Sequence, residues 1–202
     1  MFRSISSAAV CISLAIAMAM AFHLRAAPVA DGALPIKPHL VSYQAAKKLI
    51  KLSEHTGMVM GHMVMYSGKE VHVVVVANQP GLKDMTFAVH GLVNPELDVP
   101  AGAKVSLTLI NMDFGGGMAH GVVIGKLAPP YGVSVPSPLP GQIAQIPLLA
   151  PRSKQTRSQA KYYVDTVKFT AKKPGTYYYL CQMPTHAKMF KMYGKFVITP
   201  GH

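Results

Sequence analysis

From residue 58 to its end, the chain is a succession of short apolar segments separated by glycine, proline and asparagine. Two examples are KEVHVVVVA and AKVSLTLIN, which are rich in valine, leucine, isoleucine and threonine. Segments of this length and composition predict strands, and seven or eight of them follow one another with almost no helix-period segment between them. The sequence therefore predicts an all-β, Greek-key β-sandwich over residues 58–202 rather than a parallel α/β sheet.

Residues 31–57 precede this region and form a predicted N-terminal extension. The proline-rich stretch 28–39 predicts an irregular lead-in, whereas residues 40–54 have apolar side chains on one helical arc and lysines on the opposite one. This pattern predicts a short helix. A basic docking helix is one interpretation, and a plain packing helix that covers one end of the domain is the preferred one.

Residues 1–30 have the layout of a secretory signal peptide. Arg3 supplies the basic start, an apolar run continues to Phe22, and small residues surround the range 26–30. We therefore expect an exported, periplasmic protein, with association to the membrane only if this segment is retained as an anchor.

Two cysteines are present, and signal cleavage would remove Cys11 and leave Cys181 alone. A disulfide within the mature chain is then excluded. In an oxidising compartment, a lone thiol is buried and inert, paired with another chain, or bound to a metal.

The chain has 20 Lys and Arg residues against 8 Asp and Glu residues, a formal charge of +12. The lysines are scattered, and no basic helix with interleaved aromatic residues is evident, which argues against a nucleic-acid partner. Acid denaturation mostly reflects protonation of carboxylates that are paired in the folded state. The low number of carboxylates in this chain is therefore compatible with an acidic environment.

The C-terminal region places soft ligands between two predicted strands, in the order Cys181, His186 and Met192. Upstream, His120 follows a glycine-rich turn at the start of another predicted strand. One thiolate and two imidazoles form a trigonal set that suits copper, with a weak thioether as axial ligand. Taken singly, each residue is more simply a core cysteine, a structural histidine or a core methionine, but their order and spacing favour a metal site.

Several stretches give the chain its resemblance to the cupredoxins, the blue copper proteins: YSGKEVHVVVVA, FAVHGLVNPELDVPAGAKVSLTLIN, APPYGV, GTYYYLCQMPTHA and MYGKFVIT. The resemblance implies a β-sandwich with an N-terminal extension and one type 1 copper held by His120, Cys181, His186 and Met192. It also implies a monomeric electron carrier, not an enzyme, that shuttles single electrons between c-type cytochromes on a periplasmic iron-oxidation pathway.

The sequence departs from the pattern of the cupredoxins that it resembles at three places. Five residues separate His186 from Met192, where those proteins have four. Gly121 stands where they have a serine after the first histidine, and the turn at Gly115–Gly117 is longer. The serine hydroxyl is able to form a hydrogen bond near the metal, so its loss affects how the reduction potential is tuned.

Three methionines of the loop compete for the axial position. Met192 directly precedes the last strand and is preferred; Met189 would require a tighter loop, and Met183 comes too early after Cys181. The other two, with Phe190, would exclude water from the metal. We also expect His120 to be buried, with His186 nearer the surface as the route for electrons.

The main alternative function is copper binding or delivery, which the thirteen methionines suggest. A copper oxidase or nitrite reductase usually has a histidine beside the cysteine, whereas Leu180 and Gln182 flank Cys181 here. Cysteine hydrolase chemistry lacks any supporting local motif.

Overall fold

The computed structural model describes residues 35–200 apart from Gly117, so the predicted signal segment 1–30 lies outside the described residues. The described chain forms two packed β-sheets and little helix, which confirms the all-β sandwich. The strands are β1 (Pro35–Ser42), β2 (Gly57–Met60), β3 (Met63–Tyr66), β4 (Glu70–Ala77), β5 (Phe87–Val89), β6 (Leu92–Val93), β7 (Glu96–Pro100), β8 (Lys104–Asn111), β9 (His120–Gly125), β10 (Ala144–Leu149), β11 (Lys161–Thr170), β12 (Gly175–Leu180) and β13 (Tyr193–Thr199). One sheet has the strand order β1-β11-β8-β4-β5-β6, and the other has β10-β9-β12-β13-β7-β3-β2.

The main core lies between the two sheets and follows from the two-residue period of the strands. In β8, for example, Val105, Leu107 and Leu109 are buried, whereas Ser106 and Thr108 between them are partly exposed. The same buried cluster includes Cys181 and Met192. Two of the predicted ligands are therefore positioned by the packed core as well as by their loop.

The N-terminal extension forms part of the sandwich. The expected irregular lead-in is wrong from Pro35 onward, because β1 pairs antiparallel with β11 at the edge of the six-stranded sheet. Proline lacks a backbone N–H and is tolerated in edge strands, and the β1–β11 register is irregular between Ile36 and His39.

The predicted helix is present as α1 (Tyr43–Ser53). It begins where the Ser42 side chain accepts a hydrogen bond from the Ala45 amide at 3.2 Å, a typical N-cap. Ala46 is fully buried in a second cluster with Val74 and Tyr162. This packing supports the interpretation of a plain packing helix.

The proline-rich connection 128–159 is mostly irregular, as expected, but it contributes β10 beside β9. A second short helix, α2 (His186–Met189), lies within the ligand loop. Across residues 35–200, no helix has the length and apolar character needed to cross a bilayer.

Candidate metal centre

Three of the predicted ligands converge at one end of the sandwich. His120 is the first residue of β9, Cys181 directly follows β12, and His186 begins α2. The Cys181 sulfur lies 3.7 Å from Nδ1 of His120 and 3.5 Å from Nδ1 of His186. The donor atoms of all three residues lie within 4.8 Å of one another, so one ion is able to contact all three.

The loop methionines differ sharply in burial. Met192 is 0% exposed and belongs to the same buried cluster as Cys181, whereas Met189 is 67% exposed. The Cys181 amide also donates a hydrogen bond to the Met192 carbonyl at 3.0 Å. Met183 is partly buried against the core. The burial pattern favours Met192 over Met189 as the thioether that faces the site.

The extra residue between His186 and Met192 is accommodated by a single helical turn. The carbonyl of His186 accepts hydrogen bonds from the amides of both Phe190 and Met192, each at 3.2 Å. Lys191 between them has a positive φ of 55°, which reverses the chain direction locally. The longer loop therefore forms α2 and still returns to Met192 directly before β13.

Burial also sets the protonation of the ligands. It raises the pKa of the Cys181 thiol to about 11, although the backbone N–H groups of Met183 and Gly121 act in the opposite direction. It lowers the pKa of His186 to about 4, with a smaller contribution from the neighbouring His120 and an opposing one from Asp113. A neutral imidazole is the form that binds a metal, so His186 stays competent well below neutral pH.

Asp113 is a site residue that the sequence reasoning missed. Its Oδ2 lies 2.9 Å from Nε2 of His120, and both side chains are buried. Burial acts to raise the pKa of Asp113, but hydrogen bonds from His120 and from the Phe114 amide outweigh it, and the net pKa is lowered. Because the carboxylate occupies Nε2, Nδ1 of His120 is left facing Cys181. The sequence offered one signal for this role: the chain has only eight carboxylates, and one of them lies in the turn before a predicted ligand.

Asn111, also missed, holds that turn in place. Its side-chain amide is fully buried and donates to the carbonyls of Met118, Leu149 and Ala150 at 2.9–3.1 Å. Its side-chain oxygen accepts from the Asp113 amide at 3.0 Å. One residue thus joins the turn before His120 to the end of β10.

Gly121 leaves no room for the serine expected at its position. A β-carbon there would lie 2.7 Å from Nε2 of Gln182, 2.9 Å from the Ile146 carbonyl oxygen and 3.0 Å from the Pro147 carbonyl carbon. The Gln182 amide instead donates to the Ile146 carbonyl at 2.8 Å. A glutamine from the neighbouring strand end thus occupies the space beside the ligand histidine.

The donor set fits copper. Soft thiolate and thioether ligands with two imidazoles are typical of blue-copper sites, and carboxylate-preferring ions such as Mg²⁺ are disfavoured by this set. The carboxylate of Asp113 contacts a ligand histidine rather than the donor cluster itself, which is the usual arrangement around metal-binding histidines.

Comparisons with known proteins agree with this geometry. No protein-family model matches the chain. A rusticyanin of Acidithiobacillus ferrooxidans is 43% identical over 148 residues, which cover 73% of each chain. A solved structure described as the copper protein rusticyanin is 36% identical with a TM-score of 0.69, and covers 81% of this chain and 98% of its own. A histidine-to-methionine variant of rusticyanin is 35% identical with a TM-score of 0.71, and covers 82% of this chain and 100% of its own.

Proposed function

This chain belongs to the rusticyanin family of cupredoxins, and we propose that it is a blue copper electron carrier with His120, Cys181, His186 and Met192 as ligands. The observation that carries the proposal is the buried convergence of one thiol and two Nδ1 atoms at 3.5–3.7 Å. Copper bound there supplies a one-electron Cu(I)/Cu(II) couple. The protein contributes a rigid donor set, because three of the four residues sit at strand ends or in the core.

The route for electrons runs through His186. Although His186 is only 5% exposed, the partly exposed Phe190 ring packs edge-on against it at 5.8 Å between centroids. Three further exposed apolar side chains come from the surrounding loops: Phe114, Val133 and Met189. An apolar rim of this kind suits brief docking of a redox partner, since it forms close contacts without demanding paired charges.

The cellular setting is part of the same proposal. The predicted signal at residues 1–30 supports a periplasmic location, and the likeness to rusticyanins supports a place in an iron-oxidation chain with c-type cytochromes as partners. The lowered pKa of His186 and the scarcity of carboxylates support function in an acidic environment. An exported fusion tested for signal cleavage and periplasmic recovery would check the location.

Spectroscopy and electrochemistry of the copper-loaded protein test the function. We expect intense blue absorption from Cu(II) bound by Cys181, and a reversible one-electron couple by voltammetry. Reconstituted transfer with a reduced c-type cytochrome should then bleach the blue colour. A site that holds only colourless Cu(I), with no reversible couple, would support the copper-delivery alternative instead.

A further inference from the structure

The β2–β3 hairpin displays four methionines on one face, and β7 separates it from β13, the strand that follows the ligand loop. In its antiparallel register, Met58 lies opposite Met65 and Met60 lies opposite Met63. Residues two apart on a strand share a face, so all four side chains project to the same side. We call residues 57–66 the methionine hairpin.

This face is exposed to solvent. Met58 is 59% exposed, Met60 49% and Met65 36%, whereas Val64 and Tyr66 on the opposite face are buried in the core. β2 is the last strand of its sheet. Exposed edge strands are normally protected by charges or proline, whereas β2 carries Met58 and Met60 on its exposed face and β3 adds Met63 and Met65 beside them.

From this arrangement we propose that the methionine hairpin is a second metal site, selective for Cu(I), formed by the thioethers of Met58, Met60, Met63 and Met65. Thioether sulfur is a soft ligand that selects Cu(I) over harder ions. Side chains directly opposite on paired strands start about 5 Å apart at Cβ. Methionine has three rotatable bonds, so three or four sulfur atoms are able to converge on one ion.

The neighbouring strand adds a favourable charge. In the parallel register of β3 with β7, Met63 lies beside Glu96 and Met65 lies beside Asp98. Glu96 is paired with Lys195 at 3.2 Å, whereas one carboxylate oxygen of Asp98, Oδ1, is buried without a hydrogen-bond partner in the described structure. The carboxylate of Asp98 therefore attracts a cation held at the adjacent methionines.

Thioether ligands also keep their affinity for a metal in acid. Imidazole and thiolate ligands lose a metal to protons as pH falls, but a thioether has no proton to take up in this range. The Cu(I) affinity of the methionine hairpin should therefore fall only modestly in acid, as the Asp98 carboxylate is protonated. The exposed imidazole of His62, in the hairpin turn, would give the opposite behaviour if it were the main ligand.

The test uses the oxidised, blue, copper-loaded protein and Ag(I) as an air-stable substitute for Cu(I), in chloride-free buffer. Equilibrium dialysis should show one equivalent of Ag(I) bound with the blue absorption unchanged at about pH 6 and, with only modestly lower affinity, at about pH 3, where a free histidine is fully protonated. X-ray absorption at the silver edge should show sulfur neighbours. Competition of the reduced protein against a Cu(I) chelator then extends the result to copper.

A variant with all four methionines changed to leucine keeps the apolar face but removes the sulfur. We expect its Ag(I) affinity to fall at least about tenfold, whereas Met189→Leu, which removes an exposed methionine elsewhere, leaves the affinity unchanged. If the fourfold variant loses its blue absorption, the pair Met58→Leu and Met60→Leu on the edge strand serves in its place.

Three results would overturn the proposal. Equal affinity in the leucine variants would mean that the methionine face is only an apolar surface. Ag(I) uptake that bleaches the blue colour in step would place the ion at Cys181. Loss of binding at the lower pH that persists in Asp98→Asn would assign the ion to imidazole rather than thioether.

Discussion

Oδ2 of Asp113 lies 2.9 Å from Nε2 of His120, so a buried carboxylate holds the far side of a ligand imidazole. The contact selects the tautomer with the proton on Nε2 and directs Nδ1 towards Cys181. It also brings a negative charge close to the metal site. An anion near copper stabilises Cu(II) more than Cu(I) because the ion in the former state carries the larger charge.

Asp113→Asn should therefore raise the reduction potential. A tenfold change in the relative affinity for the two oxidation states of a one-electron couple corresponds to about 59 mV, and we expect a shift of about this size. Voltammetry and the electron paramagnetic resonance spectrum of the blue form would measure it. Asp98→Asn removes a carboxylate that does not contact His120, and serves as the control; a potential that falls or stays constant in Asp113→Asn would contradict the assigned role.

Met192→Leu should change the colour and raise the potential, again by about 59 mV for each tenfold loss of Cu(II) preference. The thioether donates weakly to Cu(II), and leucine has no donor atom. Leucine has nearly the volume of methionine, so the fold should tolerate the change at a cost below about 1.5 kcal/mol. Met189→Leu is the matched control in the same loop; an effect on the spectrum from that variant alone would reverse the axial assignment.

Gly121→Ala should destabilise the copper-free protein by about 1–3 kcal/mol, the usual cost of overpacking. Its β-carbon would come within 2.9–3.0 Å of the β10 backbone at Ile146 and Pro147. Urea unfolding would measure the loss. Gly116→Ala, in the preceding turn, is the control because a β-carbon there meets no atom within 4 Å.

Adding Gln182→Ala to Gly121→Ala tests which neighbour is responsible. The double variant should stay destabilised, because two of the three close contacts are with backbone atoms that cannot move away. Full recovery of stability would instead identify the glutamine side chain as the only obstacle to a β-carbon at this position.

Asp98 should favour the folded protein in acid. Burial raises its pKa, repulsion from Glu96 adds to the effect, and Lys195 opposes it. A carboxyl with a raised pKa in the folded state binds its proton more tightly there, so its contribution to stability is greatest below the unfolded value of 3.8 and is lost as pH rises through the folded value. Relative to Asp98→Asn, the wild-type free energy of unfolding should therefore decline as pH rises from 3.8 to the higher pKa of Asp98 in the folded protein.

Urea unfolding of wild type and Asp98→Asn at several pH values would check this dependence. Glu70→Gln, which removes an exposed carboxylate in β4, is the control. If the wild-type free energy of unfolding instead rises relative to that of Asp98→Asn as pH increases, the direction assigned to Asp98 is wrong.

Parts of the site were predictable because they depend on spacing along the chain. Cys181, His186 and Met192 lie in one loop between strands, and His120 begins a strand, so their order alone predicted a common site. Asp113 was not predictable in this way. Its contact with His120 depends on how Asn111 folds the intervening turn, and that conformation has no sequence period.

The exposure of His186 and the strand β1 depend on contacts between parts of the chain that are distant in sequence or on position in the sheet, which sequence patterns do not show. His120 is fully buried as expected, but His186 is only 5% exposed, because α2 folds back and Phe190 covers the imidazole. β1 was missed because its prolines argue against a strand in general, and only the position at a sheet edge makes them acceptable.

The Asn94 side chain ties the ligand loop to the opposite sheet. Its side chain accepts a hydrogen bond from the Phe87 amide of one sheet and donates to the Lys191 carbonyl, next to Met192, each at 2.9 Å. The loop is thus braced against the opposite layer of the sandwich. The two hydrogen bonds therefore restrain the backbone directly before Met192, even though the neighbouring Met189 is exposed.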